Sequence, residues 1–292
     1  MDNQGTLSYY LTQKDVFEKY YVRILYRQKA SHIHHLRLAI KRLRTLFMLI
    51  ELASNGKFTK KEYDLMYSKL FKAAGKVRET QLNLHLVQKL GIGNNKSISL
   101  PLRNMLEENV KRLSVELQAF DLVQYAGLNY SLENHIRNLP RSTVEGVIAD
   151  KVNNELSKIL KLTQNHASKP DLHKLRMRIR IVKELLVLLS NIKGLKYPKV
   201  LDFKHIYNCL GNWHDHYVLT KTLRSLLKDD RKNAERPNQA DVIQRSRNKE
   251  RELEELSSAM LIRQYKTLQR FTQKGPGFMR QPPGSSEYSL AN

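Results

Sequence analysis

The sequence predicts an all-α protein made of two four-helix bundles related by an internal pseudo-two-fold axis, on three observations. Apolar residues recur at spacings of three and four along most of the chain, the period of a helix that buries one face. Strand-like alternation is scarce. And "IHHLRLAIKRLRTLFMLI" at 33–50 aligns without gaps to "LHKLRMRIRIVKELLVLL" at 172–189, an internal duplication.

Glycine and proline punctuate the chain at 91–101, 127–140, 194–198 and around Pro237. Between these breaks the first helix is expected at about 12–29, carrying the Tyr20-Tyr21 pair at core or rim positions, as Tyr9-Tyr10 would be just before it. The second, about 32–53, is the first copy of the repeat. The third, about 60–90, contains "LFKAAGKVRETQLNLHL", and the fourth, about 102–125, follows Pro101 and stops before Gly127. After the break come helices at about 142–163 and 170–193, the latter being the second copy. The seventh, about 199–228, contains "IYNCLGNWHDHYVLTKTL" and answers the third: Gly75 stands three residues before Arg78-Glu79, and Gly211 three before His214-Asp215. The eighth, about 239–272, mixes both signs of charge, the pattern of a solvated face. One domain is expected over 10–272, with units at 10–125 and 142–272 and a flexible tail at 273–292.

The 292 residues include 51 Lys and Arg against 28 Asp and Glu, a formal net charge of +23. Such an excess favours polyanionic partners, leaving nucleic acid, an anionic membrane surface and inorganic polyanions open. The single cysteine, Cys209, excludes an intramolecular disulfide and a cysteine zinc site, and in its apolar run reads as a buried, inert thiol. No uncharged run reaches the ~18 residues of a membrane span. The N-terminus lacks a basic region followed by an apolar one, so a cytoplasmic location is expected.

Helical geometry separates two sets of side chains in the repeat, at about 100° per residue. Ile33, Leu36, Ile40, Leu43, Phe47 and Ile50 match Leu172, Leu175, Ile179, Val182, Leu186 and Leu189 and form the buried stripe. His34, Arg37, Lys41 and Arg44 match His173, Arg176, Arg180 and Lys183 and lie on a narrower stripe beside it, where a groove wall would be. Arg42 falls opposite Ile181 and is not repeated. Single basic stripes are commonly solvated cations snorkelling at the rim of a core. Here the stripe occurs twice, and 31–50 holds no acidic residue that would neutralise it within the helix. A bound anion would compensate the repulsion.

"HHLRLAIKRLR" followed by "GKVRE", then "HKLRMRIRIVK" followed by "GNWHD", resemble the signatures of the CHAD family, the conserved histidine α-helical domain. The resemblance spans about residues 10–272. It implies two four-helix bundles and a basic groove that binds inorganic polyphosphate, with His34, Arg37, Lys41, Arg44 and Arg78 as ligands from the first half. His173, Arg176, Arg180 and Lys183 would serve from the second, with Glu79, His214 and Asp215 in support. The family's usual Arg-Asp after the glycine is replaced by Arg78-Glu79 and by His214-Asp215. Polyphosphate has no bases to read, so a cationic trough with forked arginine donors suits it. Gly75 and Gly211 are expected to permit close helix approach.

Other constellations carry less. His32, His34, His35 and "WHDH" at 213–216 do not supply the converging ligands of a strong metal site, so no metal is expected. His85, His135, His166 and His205 read as surface or capping residues. "AAGKVRE" lacks the first glycine and the Ser/Thr of a P-loop. Bundles of this family are sometimes fused to a triphosphate hydrolase with an ExExK strand; "ERELEEL" at 250–256 lacks the lysine and lies in a helical pattern. Nothing combines nucleophile, base and metal, so no enzyme activity and no cofactor are expected. The expected function is non-enzymatic polyphosphate binding, with possible granule association. The alternatives are a nucleic-acid-binding module, which lacks a recognition-helix motif, and a scaffold docking to granule surfaces.

Overall fold

The computed structural model describes residues 3–164, 171–193, 203–229 and 238–273. All regular structure among them is α-helical: α1 Gln4–Tyr26, α2 Ala30–Ala53, α3 Lys61–Lys89, α4 Lys96–Gln118, α5 Leu122–Arg137, α6 Arg141–Gln164, α7 Leu172–Lys193, α8 Phe203–Asp229 and α9 Asn238–Gln273. No described helix is long and apolar enough to cross a membrane. Residues 274–292, where a flexible tail was expected, lie outside the described residues.

Three expectations are corrected. Helix α1 starts at Gln4 rather than near 12, because Leu7, Tyr9 and Tyr10 are already buried in the core. Helix α4 starts at Lys96 rather than 102: the Asn95 side chain caps it by accepting from Ser97 N at 3.0 Å, and Pro101 sits inside the helix instead of at its start. Most consequential, the segment read as a break holds α5, which runs across 125, where the first unit was expected to end. Its Asp121 cap accepts from Gln124 N at 2.8 Å, and Tyr125, Asn129, Leu132 and Ile136 are buried at helical spacing. Gly127 has open space around it and does not interrupt the helix.

Neighbouring helices pack in sequence order within each half: α1 on α2, α2 on α3, α3 on α4, then α6 on α7, α7 on α8 and α8 on α9. Across the halves the partners exchange, α1 lying on α7 and α6 on α2, while α2 meets α7 and α3 meets α8. One apolar core consequently runs through both halves, from Leu7 on α1 to Leu261 on α9. A second, smaller core joins the distal ends of α3 and α4 to α8 and α9 through Val87, Ile98, Leu102, Leu219 and Leu223.

The repeat drives this arrangement. All six apolar positions of the first copy are at most 1% exposed, and those of the second are buried except the half-buried Leu186. Each fully buried side chain of this size contributes about 1.5–3 kcal/mol of transfer free energy. Burying both stripes in a shared core brings α2 and α7 into contact and leaves the cationic stripes at the edge of their joint interface.

Candidate functional site

The cationic stripes converge. A cavity of about 300 Å³ opens between α2, α3, α7 and α8, lined from the first half by His34, Arg37, Lys41 and Arg78 with Glu79. Arg176 and His214 line it from the second half, with Glu184 and Asp215. Arg37, Lys41 and Arg176 are half-buried and His34 is exposed, as side chains at a seam between core and solvent should be.

On the first-half wall Arg37 is seated in the protein. Its Nη1 donates to Phe71 O at 2.6 Å, and its guanidinium lies 4.3 Å from the centre of the Phe71 ring. Gly75 makes room for it: a Cβ at that position would stand 2.6 Å from Arg37 Nη1. Thus Gly75 admits an arginine head rather than a helix. Arg44, one turn beyond Lys41, donates from Nε to Asp64 Oδ1 at 2.8 Å and also faces Phe71.

The second-half wall is built differently. Tyr207 replaces Phe71, and Lys183 Nζ sits 4.2 Å over its ring, the counterpart of the Arg44–Phe71 contact. Nothing lies within 4 Å of a Cβ built on Gly211, so no arginine is seated there. Arg176 has no carboxylate in ion-pairing reach among the described residues, and its buried Nε has no hydrogen-bond partner. His173 and His214 approach ring to ring at 5.4 Å, and His214 Nδ1 lies 3.8 Å from Asp215 Oδ1.

Between the walls sits Glu184, 6% exposed, the only acidic residue within α7. Its Oε2 is 3.7 Å from Arg42 Nε, an ion pair too long for a hydrogen bond, and neither atom has another partner among the described residues. Arg42, the cation missing from the repeat, is thereby spent across the halves.

Crowding of cations shows in their acid–base behaviour. Burial lowers Lys41 from 10.5 to about 8, with Arg37, Arg180 and Arg176 pushing the same way and Glu184 opposing. Burial also lowers Arg37 to about 10, offset by Glu79 and reinforced by Arg78 and Arg180. Arg180 is lowered by burial and Arg176, and His34 by burial and then Arg78, His35, Lys41 and Arg37. These groups feel one another across the interface, so the two ridges share a single field.

A model of the CHAD domain matches residues 15–224. The chain belongs to the CHAD family. The crystal structure of the CHAD domain from the plant Ricinus communis superposes with a TM-score of 0.63 over 91% of each chain, at 15% identity, a likeness of fold. No curated protein matches the sequence.

Within this CHAD domain the expected site residues divide into two groups. His34, Arg37, Lys41, Arg78 and Arg176 line the cavity together with Glu79, His214 and Asp215. Arg44, His173, Arg180 and Lys183 are not among its lining: Arg44 pairs with Asp64, Lys183 sits over Tyr207, Arg180 lowers Lys41 through its charge, and His173 meets the lining His214 ring to ring. Sequence reading missed Glu184, Tyr207 and Asp64. Glu184 had a signal, as the lone acid of its helix at the position of Thr45 in the first copy. Asp64 pairs across a fold of the chain that spacing does not reveal.

Among the described residues no group of three or more metal-ligand types converges. Trp213 is buried, whereas Cys209, expected to be buried, is half-buried against Met260, its Sγ 3.1 Å from the sulfur. Burial raises its thiol pKa, which lowers the thiolate fraction.

Proposed function

We propose that this CHAD domain binds inorganic polyphosphate in the cavity between α2, α3, α7 and α8, and that it does so as a non-catalytic receptor. One observation carries the reading: Lys41 and Arg176, from the two copies of the repeat, face one cavity, and neither has a carboxylate in ion-pairing reach among the described residues. A half-buried lysine lowered to about 8 carries an unfavourable charge that a nearby anion would stabilise. A chain of phosphates supplies that charge without asking for base recognition. The cavity lining combines cations with Glu79, Glu184 and Asp215, the polar Asn83 and Tyr207, and apolar groups, a set suited to holding an anion.

The exchange of helix partners between halves supports a pseudo-two-fold arrangement, with α5 as an addition to the first unit. The cavity would lie near that axis, so one phosphate chain meets both walls. Binding is dominated by charge and counter-ion release, so affinity falls steeply with salt.

Reversing Lys41 and Arg176 together (K41E/R176E) tests the reading. Retention on immobilised long-chain polyphosphate is expected to drop by at least about a hundredfold near physiological salt, with helicity by circular dichroism unchanged. DNA at matched phosphate concentration is expected to compete poorly. Equal retention by the reversed protein, or equal competition by DNA, overturns it.

A further inference from the structure

The central cavity is small for a polymer. Its volume of about 300 Å³ holds only part of a long polymer. A longer chain extends beyond it. On the first-half side a second groove of about 630 Å³ lies between α3 and α4, and it shares Arg37, Gly75 and Glu79 with the central cavity. The two meet at Gly75, where the Arg37 guanidinium is seated.

This outer groove has an apolar floor, including Phe71 and Val115, and a cationic rim of Lys69, Lys72, Lys76 and Arg112. Lys69, Lys72 and Lys76 are spaced three and four, on one stripe of α3. Lys69 and Lys72 have no carboxylate partner among the described residues. Lys76 pairs with Glu79 at 3.6 Å and Arg112 with Glu108 at 3.7 Å, but both pairs are well exposed and weak. Glu116 also lines the groove and is the one opposing charge on its α4 side.

The lysine stripe is not repeated in the second half. The offset that carries Gly75 to Gly211 carries Lys69, Lys72 and Lys76 to His205, Asn208 and Asn212. A lysine stripe present in one copy of a duplicated helix and absent from the other is not a by-product of the duplication.

We propose, resting on the polyphosphate reading of the central cavity, that an extended polyphosphate leaves that cavity past the outer edge of the Arg37 guanidinium seated on Gly75 and runs along the α3–α4 groove, its outer phosphates held by Lys69, Lys72 and Arg112. The central cavity then sets recognition of a short phosphate run, and the outer groove adds affinity only for chains long enough to reach it. Binding is one-sided: the chain is gripped by both halves at the centre and by the first half alone outside.

The triple variant K69Q/K72Q/R112Q tests this on the full chain, using tripolyphosphate and long-chain polyphosphate as separate ligands in calorimetry across a salt series. All three side chains are exposed, so folding is expected to survive and is checked by thermal melting. Affinity for the long polymer is expected to fall about tenfold, with a salt slope shallower by about two, while tripolyphosphate binding changes by less than about twofold. Unchanged long-chain affinity overturns the outer track. An equal loss for tripolyphosphate overturns it too, because the lysines would then act on the central cavity. A wild-type protein that binds neither ligand ends the reading of the central cavity instead.

Discussion

The two copies of the repeat begin from nearly the same residues and reach different states. In the first, Arg37 is locked onto the Phe71 carbonyl through the gap at Gly75, and Arg44 is neutralised by Asp64. In the second, among the described residues Arg176 has no carboxylate in ion-pairing reach and nothing stands within 4 Å of a Cβ built on Gly211, and the sequence position answering Asp64 is Val200. One wall of the cavity is therefore pre-arranged by the protein and the other is left open. Duplication supplies matching cations; divergence at a few neighbouring positions decides which of them remain available. A seated arginine presents its outer edge without further ordering, whereas an open one gains more from an anion.

The largest effect separating the walls should come from Glu184, which the first copy replaces with Thr45. Glu184→Gln removes the one buried negative charge among Arg42, Lys41 and Arg180. Stability without ligand is expected to fall by about 2–4 kcal/mol in urea titrations, and added polyphosphate should recover much of it. A neutral effect would mean that the cations do not strain the apo protein.

The glycines give a sharper contrast. Gly75→Ala should be destabilising by about 1–2 kcal/mol: the new Cβ displaces Arg37 from the Phe71 carbonyl, which outweighs the gain of up to about 1 kcal/mol in helix propensity. Gly211→Ala meets nothing and should stabilise by up to about 1 kcal/mol. Opposite signs in thermal melts support the asymmetry of the walls; the same sign for both removes it.

The smallest difference is in pH dependence, since Lys41 answers Arg180 and only the lysine titrates in an accessible range. Its folded value of about 8 lies below its ordinary 10.5, so between these the unfolded chain holds more protons and stability from this group rises with pH. A bound polyanion favours the charged form and raises the value again. Binding near pH 8.5 should thus take up a fraction of a proton, and affinity should weaken severalfold from about pH 7.5 to 9. Calorimetry in buffers of different ionisation enthalpy measures the uptake, and Lys41→Arg should abolish it.

The helices of the repeat, their buried faces and the rim position of His34, Arg37, Lys41 and Arg176 were legible in the sequence, because helical period and burial are local consequences of residue spacing. So was family membership, which rests on motifs in order along the chain. Helix α5 was missed although Asp121 and the spacing of Tyr125, Asn129, Leu132 and Ile136 announce it; Gly127 was given the weight of a breaker when it costs a helix only about 1 kcal/mol. The availability of each cation was not legible at all. Arg44 and Arg176 look alike as letters, but one meets Asp64 from another helix and the other meets none.

By itself, then, the sequence determined an all-helical chain with a duplicated basic ridge, since amphipathic period needs no knowledge of neighbours. The tertiary structure alone decided that α2 and α7 bring those ridges to one cavity, that Glu184 and Arg42 bridge them, and that the two walls differ. The reason is physical: charge pairing and desolvation act over a few ångströms in space, and residues 37, 71, 75, 176 and 184 become near neighbours of one cavity only after the core has closed.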